Sequence, residues 1–224
     1  GWRAAAADPQ VRVIVLGHTG GTFCAGADLS EGSGGSSQED ARAQAVARGH
    51  QMTTLLRAVI EHPLPVLGAV DGHARAGGLG LIGACDIVVA GPRSTFALTE
   101  ARIGVAPAII SMTLLPKLAP RAAGRYYLTG ETFTAAQAAE IGLITTAADE
   151  VAPVIASLVR DMAKASPQGL AASKALTTAS ILAGFDADAE RLTHESAALF
   201  VSEEAREGML SFLEKRAPSW ADRG

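Results

Sequence analysis

Two short segments combine small residues with positions where backbone N–H groups can stay open to a ligand. The first is Ala25-Gly26-Ala27-Asp28 and the second is Ala76-Gly77-Gly78. Small side chains let a ligand approach the backbone, and unpaired N–H groups at a helix start attract negative charge. Two converging N–H groups would form an oxyanion hole, which stabilises a developing oxygen anion. Taken alone, each segment is explained more simply by glycine needed for close packing or a tight turn.

The elements around these segments predict a layered α/β fold. Apolar, β-branched runs of strand length occupy residues 11–16, 65–70 and 86–90, and they alternate with glycine-rich turns and helical stretches. Helical spacing of apolar residues predicts a long amphipathic helix over residues 39–61 and a short helix over residues 79–85. The second small-residue segment therefore lies between a predicted strand and a predicted helix.

The C-terminal part of the chain carries mainly helical signals. Thr134 followed by Gln137 is typical of a capping box, and Ser166-Pro167 places a cap residue and a first-turn proline before another helix. We divide the chain at residue 145. Residues 1–145 are expected to form an α/β core, and residues 146–224 a C-terminal helical region.

Composition excludes several classes of function. Among 224 residues, 19 Lys and Arg against 23 Asp and Glu give a net charge of −4 without blocks of like charge. This balance argues against nucleic acid or an anionic membrane surface as a partner. A hydrophobic fraction of 48% excludes disorder. The longest apolar stretch, residues 76–91, contains Asp86 and several glycines, so we expect no membrane span.

Cysteine usage bears on the compartment and on metals. Cys24 and Cys85 lie far apart and in no metal-binding spacing. We therefore expect a reduced, cytoplasmic protein that holds no structural metal.

Three segments that follow one another in a fixed order carry a family resemblance. They read F-C-A-G-A-D-L at residues 23–29, D-G-H-A-R-A-G-G-L-G-L-I-G-A-C-D-I at residues 71–87 and F-A-L-T-E-A-R-I-G-V-A-P at residues 96–107. In these segments, and from about Trp2 to Ala221, the chain resembles the crotonase superfamily, which contains the enoyl-CoA hydratases and isomerases. The sequences of the last two segments are most similar to those of methylglutaconyl-CoA-type hydratases.

The resemblance implies a fold, a substrate and an assembly. The fold would be a crotonase-like spiral of ββα units with a C-terminal helical trimerisation region, and its first β-hairpin is expected upstream of Gly1. The substrate would be an acyl-CoA thioester, with no separate cofactor because coenzyme A is part of the substrate. The partners would be copies of the chain itself, in a homotrimer or a dimer of trimers.

The resemblance also implies site residues. By position, the two amides of the family's oxyanion hole fall on Ala27 and Gly77, whose N–H groups would bind the thioester oxygen. Polarising that carbonyl stabilises an enolate and makes the α-carbon proton removable. Ala25, Asp28 and Gly78 flank these positions and are expected to contact the substrate.

The acid–base group departs from the standard hydratase pattern of two glutamates. The second glutamate falls on Glu100, whereas the first is replaced by Gly80. A single carboxylate suits a Δ3,Δ2-enoyl-CoA isomerase, which moves one proton along an allyl system. The sequences of the motifs instead favour a hydratase in which Glu100 and backbone groups hold the water. A catalytically silent acyl-CoA-binding member is a third alternative.

Three further residues are candidates for substrate binding. Arg75 replaces a residue that is usually apolar in the family, and its guanidinium would suit a carboxylate on the acyl group. A solvated arginine, or an ion pair with Asp71 or Glu100, is the alternative. Phe212 and Lys215 lie in a stretch that resembles the family's terminal motif, in which an aromatic residue and a lysine reach the coenzyme A. A plain amphipathic helix end explains this stretch as well.

Overall fold

The computed structural model describes residues 2–26 and 37–221. In these stretches the strands are short: β1 Ile14–Leu16, β2 Thr22–Cys24, β3 Val66–Val70, β4 His73–Arg75, β5 Ile87–Ala90, β6 Thr95–Ala97, β7 Phe133–Thr134 and β8 Thr146–Ala147. The helices are α1 Trp2–Ala7, α2 Gln38–Glu61, α3 Gly77–Ala84, α4 Ala108–Leu114, α5 Pro120–Thr129, α6 Ala135–Glu140, α7 Val151–Met162, α8 Pro167–Phe200 and α9 Glu203–Leu213. A short 3-10 helix, Glu100–Ile103, lies between β6 and α4.

The first six strands alternate between two sheets. The first sheet has the order β1-β3-β5-β8 and is parallel throughout. The second has the order β2-β4-β6-β7, in which the first three strands are parallel and β7 is antiparallel to β6. Parallel neighbours need crossover connections, and helices supply several of them. The predicted layered α/β fold is confirmed.

The central strands of the first sheet, β3 and β5, are largely buried because apolar side chains cover both faces. In β3 every residue except Ala69 is fully buried, and Leu67 pairs in register with Ile87 of β5. Helix α7 packs on one side of these strands, whereas the main core, which includes Val66 and Val70, lies on the other. Burial on both faces explains why these strands are continuous apolar runs in the sequence.

Helix boundaries follow local capping chemistry. The long helix predicted over residues 39–61 is α2, which begins after a capping box between Ser37 and Asp40. The predicted capping box of Thr134 and Gln137 is present at the start of α6. Ser166 caps α8 through its side chain, which accepts the N–H of Gly169.

Helix α8 is anchored to the core by a buried ion pair. Lys174 Nζ lies 2.8 Å from Asp86 Oδ2 and also donates to the carbonyl of Val59 at 2.9 Å. Along its length α8 packs against α2 and α4. Strand β8 pairs with β5 at the edge of the first sheet, beside the predicted boundary at residue 145, and the division into two regions stays a prediction. Within residues 2–26 and 37–221, no helix combines the length and apolar character needed to cross a membrane.

Candidate active site

The carboxyl ends of three neighbouring strands bring the candidate residues together. Strands β2, β4 and β6 run parallel, with Cys24 opposite Ala74 and Arg75 opposite Ala97. Directly beyond these ends the chain continues into Ala25-Gly26, Ala76-Gly77 and the 3-10 helix that begins at Glu100. In open α/β sheets ligands bind outside the carboxyl ends of the strands. This edge of the second sheet is therefore the candidate active site.

Close backbone packing at this edge requires glycine at two positions. A Cβ on Gly26, which has a φ of 94°, would lie 2.8 Å from the Cβ of Ala76. A Cβ on Gly78 would lie 2.7 Å from the Cβ and 2.8 Å from the carbonyl oxygen of Cys24. Gly78 thus has a packing role between α3 and β2. The structure brings the two small-residue segments into contact at Gly26, whereas Ala27 and Asp28 lie outside the described residues.

The N–H of Gly77 is open at the start of α3. This helix begins at Gly77 rather than at Leu79 as predicted, because Ala76 turns the chain with φ 47° and ψ −125°. Such angles are strained for a residue with a Cβ, and strain of this kind clusters at functional sites. Within the described part of the chain nothing accepts a hydrogen bond from the N–H of Gly77. Gly77 can therefore donate to a ligand oxygen, as the resemblance implies.

Glu100 is a buried carboxyl group without a hydrogen-bond partner for one of its oxygens. Its relative exposure is 8%, and no described residue pairs with Oε2. Burial raises the pKa of Glu100, and a hydrogen bond to its own backbone opposes this rise. A carboxyl group with a raised pKa is suited to giving and taking protons near neutral pH. The environment of Glu100 fits the acid–base role expected from the sequence.

Helix α9 supports the short helix that carries Glu100. The 3-10 helix ends at Gly104, whose φ is 76°, and a Cβ there would lie 2.6 Å from the backbone carbon of Glu204. A Cβ on Gly208 would likewise lie 2.5 Å from the backbone of Ile103. The backbones of α9 and the 3-10 helix are therefore in direct contact, which restricts movement of Glu100.

Apolar atoms occupy the space next to Gly80, the position of the missing carboxylate. Gly80 lies inside α3, and a Cβ on it would be 2.5 Å from Cγ2 of Ile110 and 3.3 Å from Cδ1 of Leu56. No side chain can extend from position 80 unless Ile110 moves. Apolar side chains therefore close the space beside position 80.

The sequence interpretation missed a pair of hydroxyl groups near Glu100. Oη of Tyr127, on α5, lies 3.1 Å from Oγ of Ser111, on α4. The pKa of Tyr127 is raised to about 12, mainly by burial; the hydrogen bond with Ser111 opposes the rise and the charge of Glu100 adds to it. A tyrosine on an amphipathic helix is usually a core residue, so no signal in the sequence distinguished this one.

Arg75 makes hydrogen bonds to its own sheet. Its Nη1 donates to the carbonyl oxygens of Ala74 at 2.8 Å and Thr95 at 2.7 Å, and Nη2 lies 3.0 Å from Oγ1 of Thr95. The ion pair considered with Asp71 or Glu100 is not formed. Asp71 pairs with Arg93 instead, and the charge of Arg75 is not among the causes that shift the pKa of Glu100. Partial burial lowers the pKa of Arg75.

Phe212 and Lys215 lie at the far end of the helix that packs against the 3-10 helix. Phe212 is near the end of α9 and is 64% exposed, and Lys215 follows with a φ of 54°. Neither side chain has a described contact with Glu100 or Gly77. Their expected role in coenzyme A binding stays a prediction.

The fold and this edge define a class of protein. A buried carboxyl group and an open backbone N–H at the ends of parallel strands are the parts that an acid–base enzyme acting next to a carbonyl needs. The chain belongs to the enoyl-CoA hydratase/isomerase family, whose sequence model matches residues 2–223, and so to the crotonase superfamily. It is accordingly an enzyme of the lyase or isomerase type that this family comprises.

Individual relatives agree with this assignment. The 2,3-dehydroadipyl-CoA hydratase of Escherichia coli is 31% identical over 223 residues, which cover 98% of this chain and 85% of the relative. The carnitinyl-CoA dehydratase of Proteus mirabilis is 31% identical over 224 residues, covering 96% of this chain and 84% of the relative. The crystal structure of an enoyl-CoA hydratase from Mycobacterium avium is 65% identical, with a TM-score of 0.92, and covers 98% of this chain and 83% of that chain.

Proposed function

We propose that the protein is an enoyl-CoA hydratase that adds water across the 2,3 double bond of an enoyl-CoA thioester. The N–H groups of Gly77 and Ala27 bind the thioester oxygen, and Glu100 takes a proton from the attacking water and returns it to the α-carbon. The double bond is already activated by the thioester carbonyl, so proton transfer and charge stabilisation are the chemistry required. The proposal includes no cofactor beyond the coenzyme A of the substrate.

The observation that carries the proposal is the position and state of Glu100. Its carboxyl group is buried, its Oε2 has no partner among the described residues, and burial raises its pKa. A carboxylate in a purely structural role would be expected to have an arginine, lysine or backbone N–H partner for both oxygens. The same sheet edge carries the open N–H of Gly77, which supports a shared substrate position.

The alternative reaction is Δ3,Δ2-enoyl-CoA isomerisation with the same residues. Gly80 favours this alternative, because one carboxylate suffices to move a proton from one carbon to another. A catalytically silent acyl-CoA-binding protein would need neither a free Glu100 oxygen nor an open Gly77 N–H. The retention of both supports an active enzyme.

Mass spectrometry of acyl-CoA substrates distinguishes these functions. The purified full chain is incubated with 2-enoyl-CoA and 3-enoyl-CoA thioesters, including 2,3-dehydroadipyl-CoA. Gain of one water on a 2-enoyl substrate, lost in Glu100→Gln and kept in the exposed control Glu140→Gln, supports the hydratase. We expect Glu100→Gln to lower kcat by about 10²- to 10⁴-fold. Conversion of the 3-enoyl substrate without gain of water would replace hydratase by isomerase, and binding without any conversion would replace both.

Arg75 is proposed to favour acyl groups that carry a carboxylate. The guanidinium is partly buried, and its three described hydrogen bonds leave further N–H groups for a ligand. Arg75→Leu should lower kcat/KM for a dicarboxylic enoyl-CoA while leaving an unbranched, uncharged enoyl-CoA within about twofold. Equal loss on both substrates would assign Arg75 a structural role in the sheet.

The assembly is proposed to be a homotrimer or a dimer of trimers. Large apolar side chains are exposed on the second half of the chain, for example Leu128 and Leu176, each at 81%, and Phe212 at 64%. A contiguous apolar surface is typical of an interface between subunits, and we propose that these side chains contribute to one. Light scattering coupled to size-exclusion chromatography measures the mass directly, and a mass equal to one chain would contradict the proposal.

A further inference from the structure

A hydration reaction that retains a single glutamate needs another group to hold the water. A water that attacks carbon must keep one lone pair aimed at that carbon, which is easiest when both of its hydrogens are bound. Helix α3 cannot supply the second acceptor, because Ile110 fills the space beside Gly80. Any second polar group must therefore come from another element that packs around Glu100.

Helix α5 is such an element, and it carries Tyr127. This helix packs against the 3-10 helix of Glu100, and the charge of Glu100 acts on the phenol of Tyr127. Tyr127 is partly buried, and its hydroxyl is in hydrogen-bond contact with Ser111 of α4. Because burial keeps its pKa at about 12, the phenol stays protonated at neutral pH and does not itself act as a base.

The hydrogen-bond chain through Ser111 determines which way the phenol proton points. Ser111 Oγ lies 2.6 Å from the carbonyl oxygen of Pro107, to which the serine hydroxyl donates. The serine has then used its one hydrogen, so the contact of 3.1 Å with Tyr127 must be a donation from the phenol to Oγ of Ser111. The lone pairs of Oη of Tyr127 are left as acceptors, and none of the described residues donates to them.

We propose that Tyr127 is a second water-binding residue of this enzyme, acting beside Glu100 in place of the carboxylate absent at Gly80. The inference rests on the proposed hydratase function. The attacking water donates one hydrogen to the carboxylate of Glu100 and the other to Oη of Tyr127. Both acceptors belong to elements that pack against each other, α5 and the 3-10 helix, as the sharing of one water requires.

The bonding changes balance without an additional reactant. The water oxygen forms a bond to carbon 3, and the π electrons of the double bond move onto the thioester oxygen, which the N–H of Gly77 stabilises. Glu100 takes one proton from the water and then returns it to carbon 2 as the enolate collapses. Tyr127 keeps its own proton on the Ser111 side throughout. The product is the 3-hydroxyacyl-CoA thioester, which contains all the atoms of water.

Tyr127→Phe tests the proposal, with Tyr126→Phe as the matched control. Both substitutions remove one phenol oxygen from the same helix, but Tyr126 is buried against Phe133 and has no described hydrogen bond from its hydroxyl. We expect Tyr127→Phe to lower kcat for hydration by about 10- to 100-fold with KM within about twofold, whereas Tyr126→Phe keeps the wild-type rate. Matching thermal melting curves for the two variants would show that the loss does not come from unfolding.

Exchange of the α-hydrogens of a saturated acyl-CoA in D₂O separates water binding from the action of Glu100. This exchange uses Glu100 and the oxyanion site but not a nucleophilic water at carbon 3. Exchange within about twofold of wild type in Tyr127→Phe, beside slow hydration, supports the proposal. Ser111→Ala should slow hydration less than Tyr127→Phe, because it releases the phenol proton without removing Oη.

Two results would overturn the assignment of Tyr127. One is wild-type hydration by Tyr127→Phe, and the other is an equal loss of hydration and exchange, which would mean that Tyr127 acts only by positioning Glu100. If the wild-type enzyme itself adds no water to any 2-enoyl-CoA, the proposed function fails first and the role of Tyr127 fails with it. The wild-type measurement therefore distinguishes failure of the function from failure of the inference.

Discussion

Steric exclusion of a side chain at position 80 can be tested by pairing Gly80→Ala with Ile110→Ala. The added methyl of Gly80→Ala would lie 2.5 Å from Cγ2 and 3.1 Å from Cβ of Ile110. Alanine in place of glycine stabilises a helix interior by about 1 kcal/mol. Overpacking of a close-packed core costs about 1–3 kcal/mol. The single substitution is therefore expected to change stability by about 0 to −2 kcal/mol.

The second substitution removes the atom that causes the overlap. Ile110 is buried, so Ile110→Ala alone should cost about 2–5 kcal/mol of unfolding free energy. In the double variant the new methyl at position 80 enters the space that Cγ2 has left. We therefore expect the double variant to be more stable than the sum of the two single losses by about 1–3 kcal/mol.

Urea unfolding of the wild type and the three variants, all at one protein concentration, measures this coupling. The far-UV circular dichroism signal reports unfolding, and equal m values confirm that the same transition is compared. If the effects of the two substitutions add within about 0.5 kcal/mol, the methyl and Ile110 do not compete for the same space. The explanation given for the apolar wall at Gly80 would then be refuted.

Further predictions concern charge burial and backbone strain. Because burial raises the folded-state pKa of Glu100, its ionisation opposes folding at neutral pH. Glu100→Gln should thus raise the Tm at pH 7, by an amount that shrinks towards pH 4, and a Tm gain independent of pH would contradict this. Lys174→Met leaves Asp86 without its ion-pair partner and should lower the unfolding free energy by about 3–5 kcal/mol. Urea titrations measure this loss, which should be smaller in the double variant that also carries Asp86→Asn. Ala76→Gly removes the strain of a positive φ, which costs about 1–3 kcal/mol, but it adds about 1 kcal/mol of conformational entropy to the unfolded chain. Calorimetry should therefore show an unchanged or raised Tm.

Local patterns in the sequence determined which segments form helices and strands, and many of the residues at which these begin and end. The predicted capping residues Thr134 and Ser166 act through short-range hydrogen bonds, which any chain with those residues can form. The apolar runs that became β3 and β5 owe their identity to burial on both faces. Such signals depend on neighbours within a few positions, so they can be read without knowing the fold.

The start of α3 shows where local patterns stop being sufficient. The short helix was predicted from Leu79, yet it begins at Gly77, because Ala76 adopts a turn that alanine does not favour in isolation. Contact with Gly26 and packing of Gly78 against Cys24 hold the turn in place. These partners come from another strand, so the sequence around position 76 contains no sign of them.

Motif order identified the family from the sequence alone, and it predicted Glu100 as the acid–base residue and Gly77 as an oxyanion position. Only the tertiary structure decided what surrounds them. It placed Ile110 in the space beside Gly80, directed Arg75 to Thr95, and joined Tyr127 to Ser111 across separate helices. The physical reason is that backbone capping and strand burial act between near neighbours, whereas packing overlap and the desolvation of a carboxyl group depend on residues that only the folded chain brings into contact.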